Sequence, residues 1–105
     1  MICRIWHGWT THANADVYER LLRHEVFVGI HGRDIAGFRG IDLLRRPIGD
    51  EVEFSTMMWF DALDAVRTFA GDDYEVAVVP DTARAVLSHF DARSAHYEVR
   101  IRHAG

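Results

Sequence analysis

The sequence predicts an α+β fold, four antiparallel strands covered by helices on one face, and three observations predict it. The stretch Glu51 to Pro80 runs as an extended segment, a turn at Asp61 and a short amphipathic helix, with Leu63, Val66 and Phe69 at helical spacing before Gly71 stops it. Both ends of the chain carry alternating, β-rich runs, Ile2 to Thr10 and Ala92 to His103. Between them the elements read β-α-β-β-α-β, and right-handed crossovers then place the strands in the order 4-1-3-2, a ferredoxin-like split βαβ sheet.

Each element has its own local reason. Ile2 to Thr10 carries Cys3, Ile5, His7 and Trp9 on one face and Ile2, Arg4, Trp6 and Gly8 on the other. Ala15 to about Gly32 reads as a helix with Val17, Leu21, His24, Val28 and His31 along one stripe, widened by Tyr18, Leu22 and Val26. Phe38 to Arg46 and Val52 to Phe60 form a hairpin around Pro47-Ile48-Gly49-Asp50. Asp61 is a suitable helix N-cap, and Trp59 beside it is expected at the back of a pocket. Pro80 should open another helix through Ala83, Val86, Leu87 and Phe90.

Composition narrows the function. A chain of 105 residues is expected to form one domain spanning 1–105. All 12 basic residues are Arg, which excludes Schiff-base chemistry and a P-loop lysine. A net charge of −4 with scattered Arg gives no basic face for nucleic acid. The single Cys3 permits no internal disulfide and no cysteine-based zinc site. No apolar run is long enough to span a membrane, and a cytoplasmic protein is expected.

Chemistry-bearing residues fall into two groups. His96 and Glu98 share one strand face about 7 Å apart. A 2-His-1-carboxylate metal site would need a third ligand there, and the nearby Arg4, Arg100 and Arg102 disfavour a cation, so a charge lattice such as Arg4 with Glu98 is expected instead. His24 and His31 lie about 10.5 Å apart along the helix, too far to share an ion. No metal is expected. Most of the second group, His7, Trp9, Tyr18, His24, Trp59 and Tyr97, is expected between helices and sheet, with Phe69 as a further binding candidate, while the spacing leaves the face of Trp59 open. There a flat hydroxyaromatic ligand could stack on the rings while a neutral His24 or His7 takes its proton. The same residues would otherwise be ordinary core with a few half-exposed histidines at its rim. The sheet face bearing Arg4, Trp6 and residues 96–102 would be left wet, and a second copy is expected to cover it.

The segments RIWHGWT, FRGIDLLRR, FSTMMWFDALDAVRTFAGDDYEVAVVP and HYEVR resemble the antibiotic biosynthesis monooxygenase-like family of the dimeric α/β-barrel superfamily. That resemblance spans nearly the whole chain and implies a homodimer of ferredoxin-like subunits forming a dimeric α/β barrel. It also implies cofactor-independent oxygenation of a small quinol- or anthrone-like substrate, with no cofactor. The alternative is a non-catalytic module of the same fold that binds a small molecule or only dimerises. Haem-degrading relatives carry a Trp on the helix after the third strand and a haem-ligating His ten residues later. The matching positions are Phe69 and Val79, so the haem ligand is missing.

Overall fold

The computed structural model describes all 105 residues. The chain begins with β1 (Ile2–Thr11) and continues into one helical run made of α1 (Ala15–Leu21), a π turn (Leu22–Val26) and α2 (Phe27–Gly32). The hairpin β2 (Phe38–Ile48) and β3 (Glu51–Phe60) follows, then α3 (Leu63–Ala70), the single turn α4 (Asp81–Arg84) and two short strands, β4 (His89–Phe90) and β5 (Ala95–Glu98). The sheet order is β2-β3-β1-β4, with β5 also pairing β1, and every pairing is antiparallel. The expected order 4-1-3-2 is therefore observed, with the last strand broken into two pieces on one edge.

β1 and β3 pair over their full lengths, from Ile2 opposite Phe60 to Thr11 opposite Glu51. Directly paired residues of antiparallel strands lie on the same face. Val52, Phe54, Met58 and Phe60 are buried in the core, so Ile2, Arg4, Trp6, Gly8 and Thr10 also face the helices. Gly8 could be nothing larger, since a Cβ there would lie 2.9 Å from Leu87 and 3.0 Å from Trp6. Cys3, Ile5, His7 and Trp9 face the other way. The expected assignment of the two faces is thus inverted: Arg4 and Trp6 belong to the covered face, His7 and Trp9 to the open one.

Two apolar clusters fill the covered side. Tyr18 and Leu22 of the first helix meet Val52 and Phe54, with Tyr18 edge-on to Phe54 at 4.8 Å between ring centroids. Ala65, Val66 and Phe69 of α3 meet Met58 and Phe60. The stripe that packs is Tyr18, Leu22, Val26 and Ile30, whereas Val17, His24 and Val28 are exposed. Hydrophobicity alone favoured the stripe one residue earlier, and the π turn further shifts the register after Leu21.

Other local expectations are also corrected. Asp61 does not cap α3, which follows an extended Ala62 without a side-chain cap. Its carboxylate instead accepts two bonds from Arg39, at 2.7 and 2.5 Å. Arg39 is the extra residue of a bulge in β2 between Phe38 and Gly40, and the bulge lets both Phe38 and Ile41 reach the core. After Pro80 the helix lasts one turn, and Phe90 joins β4. Gly71 ends α3 with φ +93°, a conformation open to glycine.

The folded surface is 6502 Å², above the roughly 6,000 Å² expected for this mass. The open sheet face contributes, with half-exposed Leu44 and Tyr97 and the intermediate Trp9, Met57 and Trp59. No helix is long and apolar enough to cross a membrane.

Phe54 is fully buried, so Phe54→Ala is expected to reduce unfolding free energy by about 3–5 kcal/mol in a denaturant titration. Trp59 lies on the open face, where its indole N–H donates to Asp42 at 3.0 Å, and Trp59→Ala is expected to be milder than Phe54→Ala in the same titration.

Candidate functional site

Between the first helical run and the covered sheet face lies a cleft. Its inner part is a cavity of about 60 Å³ walled by Trp6, Tyr18, Leu22, Met58 and Phe69, with Arg4 and Ser94 among the lining residues. It continues into a mouth of about 330 Å³ bounded by Glu25, Gly29, Arg33 and Thr82. Val26, Ile30, Phe69, Val78 and Pro80 line both parts, so the two are one passage. The π turn supplies Leu22 and Val26 to this wall. Such turns are frequent where a helix borders a functional site.

Polar groups in the cleft are few. The Arg4 guanidinium is 3% exposed, and it donates to the carbonyls of Tyr74 and Val76 and to His96 Nε2. These bonds tie the segment after α3 and the edge strand β5 to the centre of the sheet. Burial pushes the Arg4 pKa down to about 10, still well above neutrality, so the group remains charged. Its carbon sits 5.5 Å from the centre of the Phe69 ring, a cation–π contact. Burial pushes the Tyr18 phenol well above its ordinary value, so Tyr18 stays protonated. Ser94 Oγ is buried with no hydrogen-bond partner. Trp6 is held by its indole N–H, which donates to the Asp91 carbonyl at 2.7 Å.

The residues singled out from sequence are divided by this geometry. Tyr18 and Phe69 line the cleft. His24 is exposed on the outer side of the π turn, so its expected place in the pocket is corrected. His7, Trp9, Trp59 and Tyr97 occupy the open face, on the other side of the sheet from the cleft, because they share the parity of Cys3. Trp9 stacks on His89 at 4.5 Å, and Arg102 lies 5.0 Å over the Trp59 ring. His7 Nδ1 is 2.8 Å from Asp91 Oδ2, the geometry of an oriented base, but on the open face and half-exposed. The expected pairing of Arg4 with Glu98 does not form: Arg4 turns inward to His96, and Glu98 is exposed. Sequence reasoning missed Arg4, Trp6 and Ser94 as lining residues. The register of β1 against the plainly alternating β3 was the signal for the first two; Ser94 lies in an irregular segment and carried none.

Because Arg4 can only donate, His96 accepts at Nε2 and carries its proton on Nδ1. Burial, and secondarily the Arg4 charge, hold the His96 pKa below its ordinary value, with Glu75 opposing. The unfolded chain therefore takes up this proton before the folded one does. Stability from this group falls as pH drops below about 6.5, and above that it is unaffected. His96→Gln, which keeps an acceptor toward Arg4, should lose less stability than the parent between about pH 7 and about pH 5 in chemical denaturation.

No family model matches the sequence, and no curated protein matches it. Solved structures do. The crystal structure of a Bacillus cereus protein proposed to be an antibiotic biosynthesis monooxygenase superposes with a TM-score of 0.69 at 14% identity, covering 99% of this chain and 97% of that one. A mutant of MhuD with two manganese protoporphyrin IX bound per active site gives 0.69 at 17% identity over the full length of both chains. At such identities the likeness establishes architecture. The chain shares the ferredoxin-like fold of these two structures.

Proposed function

We propose that the chain is a monooxygenase that encloses a small, flat aromatic substrate of the quinol or anthrone kind in the cleft and oxygenates it without a cofactor. The observation that carries this reading is the cleft itself, a narrow apolar passage walled by Trp6, Phe27, Met58 and Phe69 in a fold shared with a structure named for such activity. Flat rings gain dispersion and stacking contacts against these walls, and the passage keeps most water from the reacting carbon. In an anthrone, the methylene group supplies all the electrons. One oxygen atom of O₂ becomes the new carbonyl and the other leaves as water. Phe69 and Tyr18 serve as walls in this reading, and neither His7 nor His24 is its base.

The porphyrin named for the MhuD structure suggests a larger guest, but the inner cavity of about 60 Å³ favours a smaller ring system. Homodimerisation goes with the proposal. The open face presents Ile5, Trp9, Met57, Trp59 and Tyr97 together, and a second copy would cover them. A cytoplasmic setting goes with it too.

One observation favours a second reading. No imidazole or carboxylate lines the inner cavity, so the cleft lacks an internal general base and could instead belong to a non-catalytic small-molecule-binding module.

Oxygen uptake separates the two. Across a panel of anthrones and quinols, at least one compound should drive uptake above buffer, and Val78→Trp, placed at the half-exposed mouth, should lower it at least about tenfold. Binding without uptake over the whole panel would favour the module. In sedimentation at micromolar concentration the protein should run at about twice 12.1 kDa, and a 12.1 kDa species would remove the dimer.

A further inference from the structure

We propose that the inner end of the cleft is an anion site, in which Arg4 and Ser94 receive an ionised oxygen, phenolate or carboxylate, carried by the aromatic ligand. The inference rests on the cleft being a ligand pocket and adds the charge and orientation of what enters it.

Arg4 is the only charged residue lining the inner cavity. Ten ion pairs are present in the fold and none includes it. Its hydrogen bonds reach only neutral acceptors: two backbone carbonyls and His96. These use three of the five N–H donors that a guanidinium carries. An unpaired cation taken out of water loses several kcal/mol of solvation, which carbonyls and an aromatic face recover only in part. A ligand oxyanion would supply the missing charge.

No carboxylate of the fold pairs with Arg4. Glu75 is held by Arg93 at 3.3 Å and Asp91 by His7 at 2.8 Å. Ser94 is the independent second observation. It is among the residues lining the same cavity, and its hydroxyl is buried with no partner, although a buried hydroxyl normally has one. A guanidinium and a buried hydroxyl among the lining of a mostly apolar slot, whose other hydroxyls are those of Tyr18 and Thr56, suit a planar ring with one ionised oxygen at its edge. A purely structural Arg4, tying Tyr74 and Val76 to β1, would leave the Ser94 hydroxyl unexplained.

The test is calorimetric titration with 2-naphthoate, its neutral isostere 2-naphthamide, and 2-naphthol over a range of pH. The naphthoate should bind at least about tenfold tighter than the amide. Arg4→Gln should erase that preference. Ser94→Asp places a competing carboxylate in the cavity and should abolish naphthoate binding while the amide still binds, so the answer does not depend on whether Arg4→Gln folds. Ser94→Ala should weaken naphthoate by a few-fold and raise the melting temperature, since it removes a buried unpaired hydroxyl. Naphthol affinity that climbs with pH identifies a phenolate as the natural group; pH-independent naphthol with tight naphthoate identifies a carboxylate. Equal binding of naphthoate and amide, or naphthoate binding that survives Ser94→Asp, overturns the anion site and leaves the pocket standing. Failure of all three probes overturns both.

Discussion

The pairing of β1 with β3 is the constraint on which the rest of the molecule depends. β1 is bonded on both edges, to β3 along one and to β4 and β5 along the other, so it alone joins the hairpin to the end of the chain. Its parity therefore sets the two sides of the sheet at once. With Phe54 in the core, Gly8 opposite it must point the same way, and Arg4, Trp6 and Thr10 follow. A slip by one residue would place His7 and Trp9 under the helices and would expel Arg4 from the cleft. The 2.9 Å gap that a Cβ on Gly8 would leave to Leu87 shows how little tolerance the packed register has.

Topology was legible in the sequence because it depends on element order and crossover handedness, which survive errors at the ends of elements. The faces of β1 were not, and the reason is chemical. Both faces carry an aromatic and a polar residue, Trp6 with Arg4 on one and Trp9 with His7 on the other. Arginine is rarely buried without a partner, so the face bearing Arg4 read as the outer one. β3 was clearer, since Val52, Phe54, Met58 and Phe60 alternate with Glu53, Ser55 and Trp59. Carrying that alternation across the ladder by register would have assigned β1 correctly.

The first helix failed differently. Val17, Leu21, His24 and Val28 make a regular 3.6-residue stripe, but so do Tyr18, Leu22, Val26 and Ile30. The second set won because it places the Tyr18 ring against Phe54 and because the π turn brings Leu22 and Val26 over the cleft. A π turn has no reliable sequence signature, so the exposure of His24 could not be read in advance. After Pro80 the reading overran for a related reason. Ala83, Val86 and Leu87 do face the core, yet Ser88 is already bound to the Trp9 carbonyl at 2.7 Å, and the sheet edge ends the helix early.

The two sides of the sheet divide the chemistry between them. The open face holds the imidazole–carboxylate pairs, His7 with Asp91 and His89 with Glu51, in half-exposed places where water would compete for any substrate. The covered face holds a narrow, mostly apolar slot with a cation and an unpartnered hydroxyl among its lining residues but no imidazole or carboxylate. The bonds of Arg4 to Tyr74, Val76 and His96 give it a structural role, but a neutral donor there or an alanine at 94 would serve stability without burying an unpaired charge or an unpartnered hydroxyl. Natural sequences break such local rules chiefly where a site requires it. In a slot of low dielectric, a fixed cation also lowers the pKa of an acidic hydroxyl bound against it, which favours the electron-rich anion without a protein base. Under the proposed anion site, the missing base and the unpaired Arg4 would be one arrangement: binding would shift the ligand's own ionisation equilibrium, and the proton would leave to water at the mouth before the ring is enclosed.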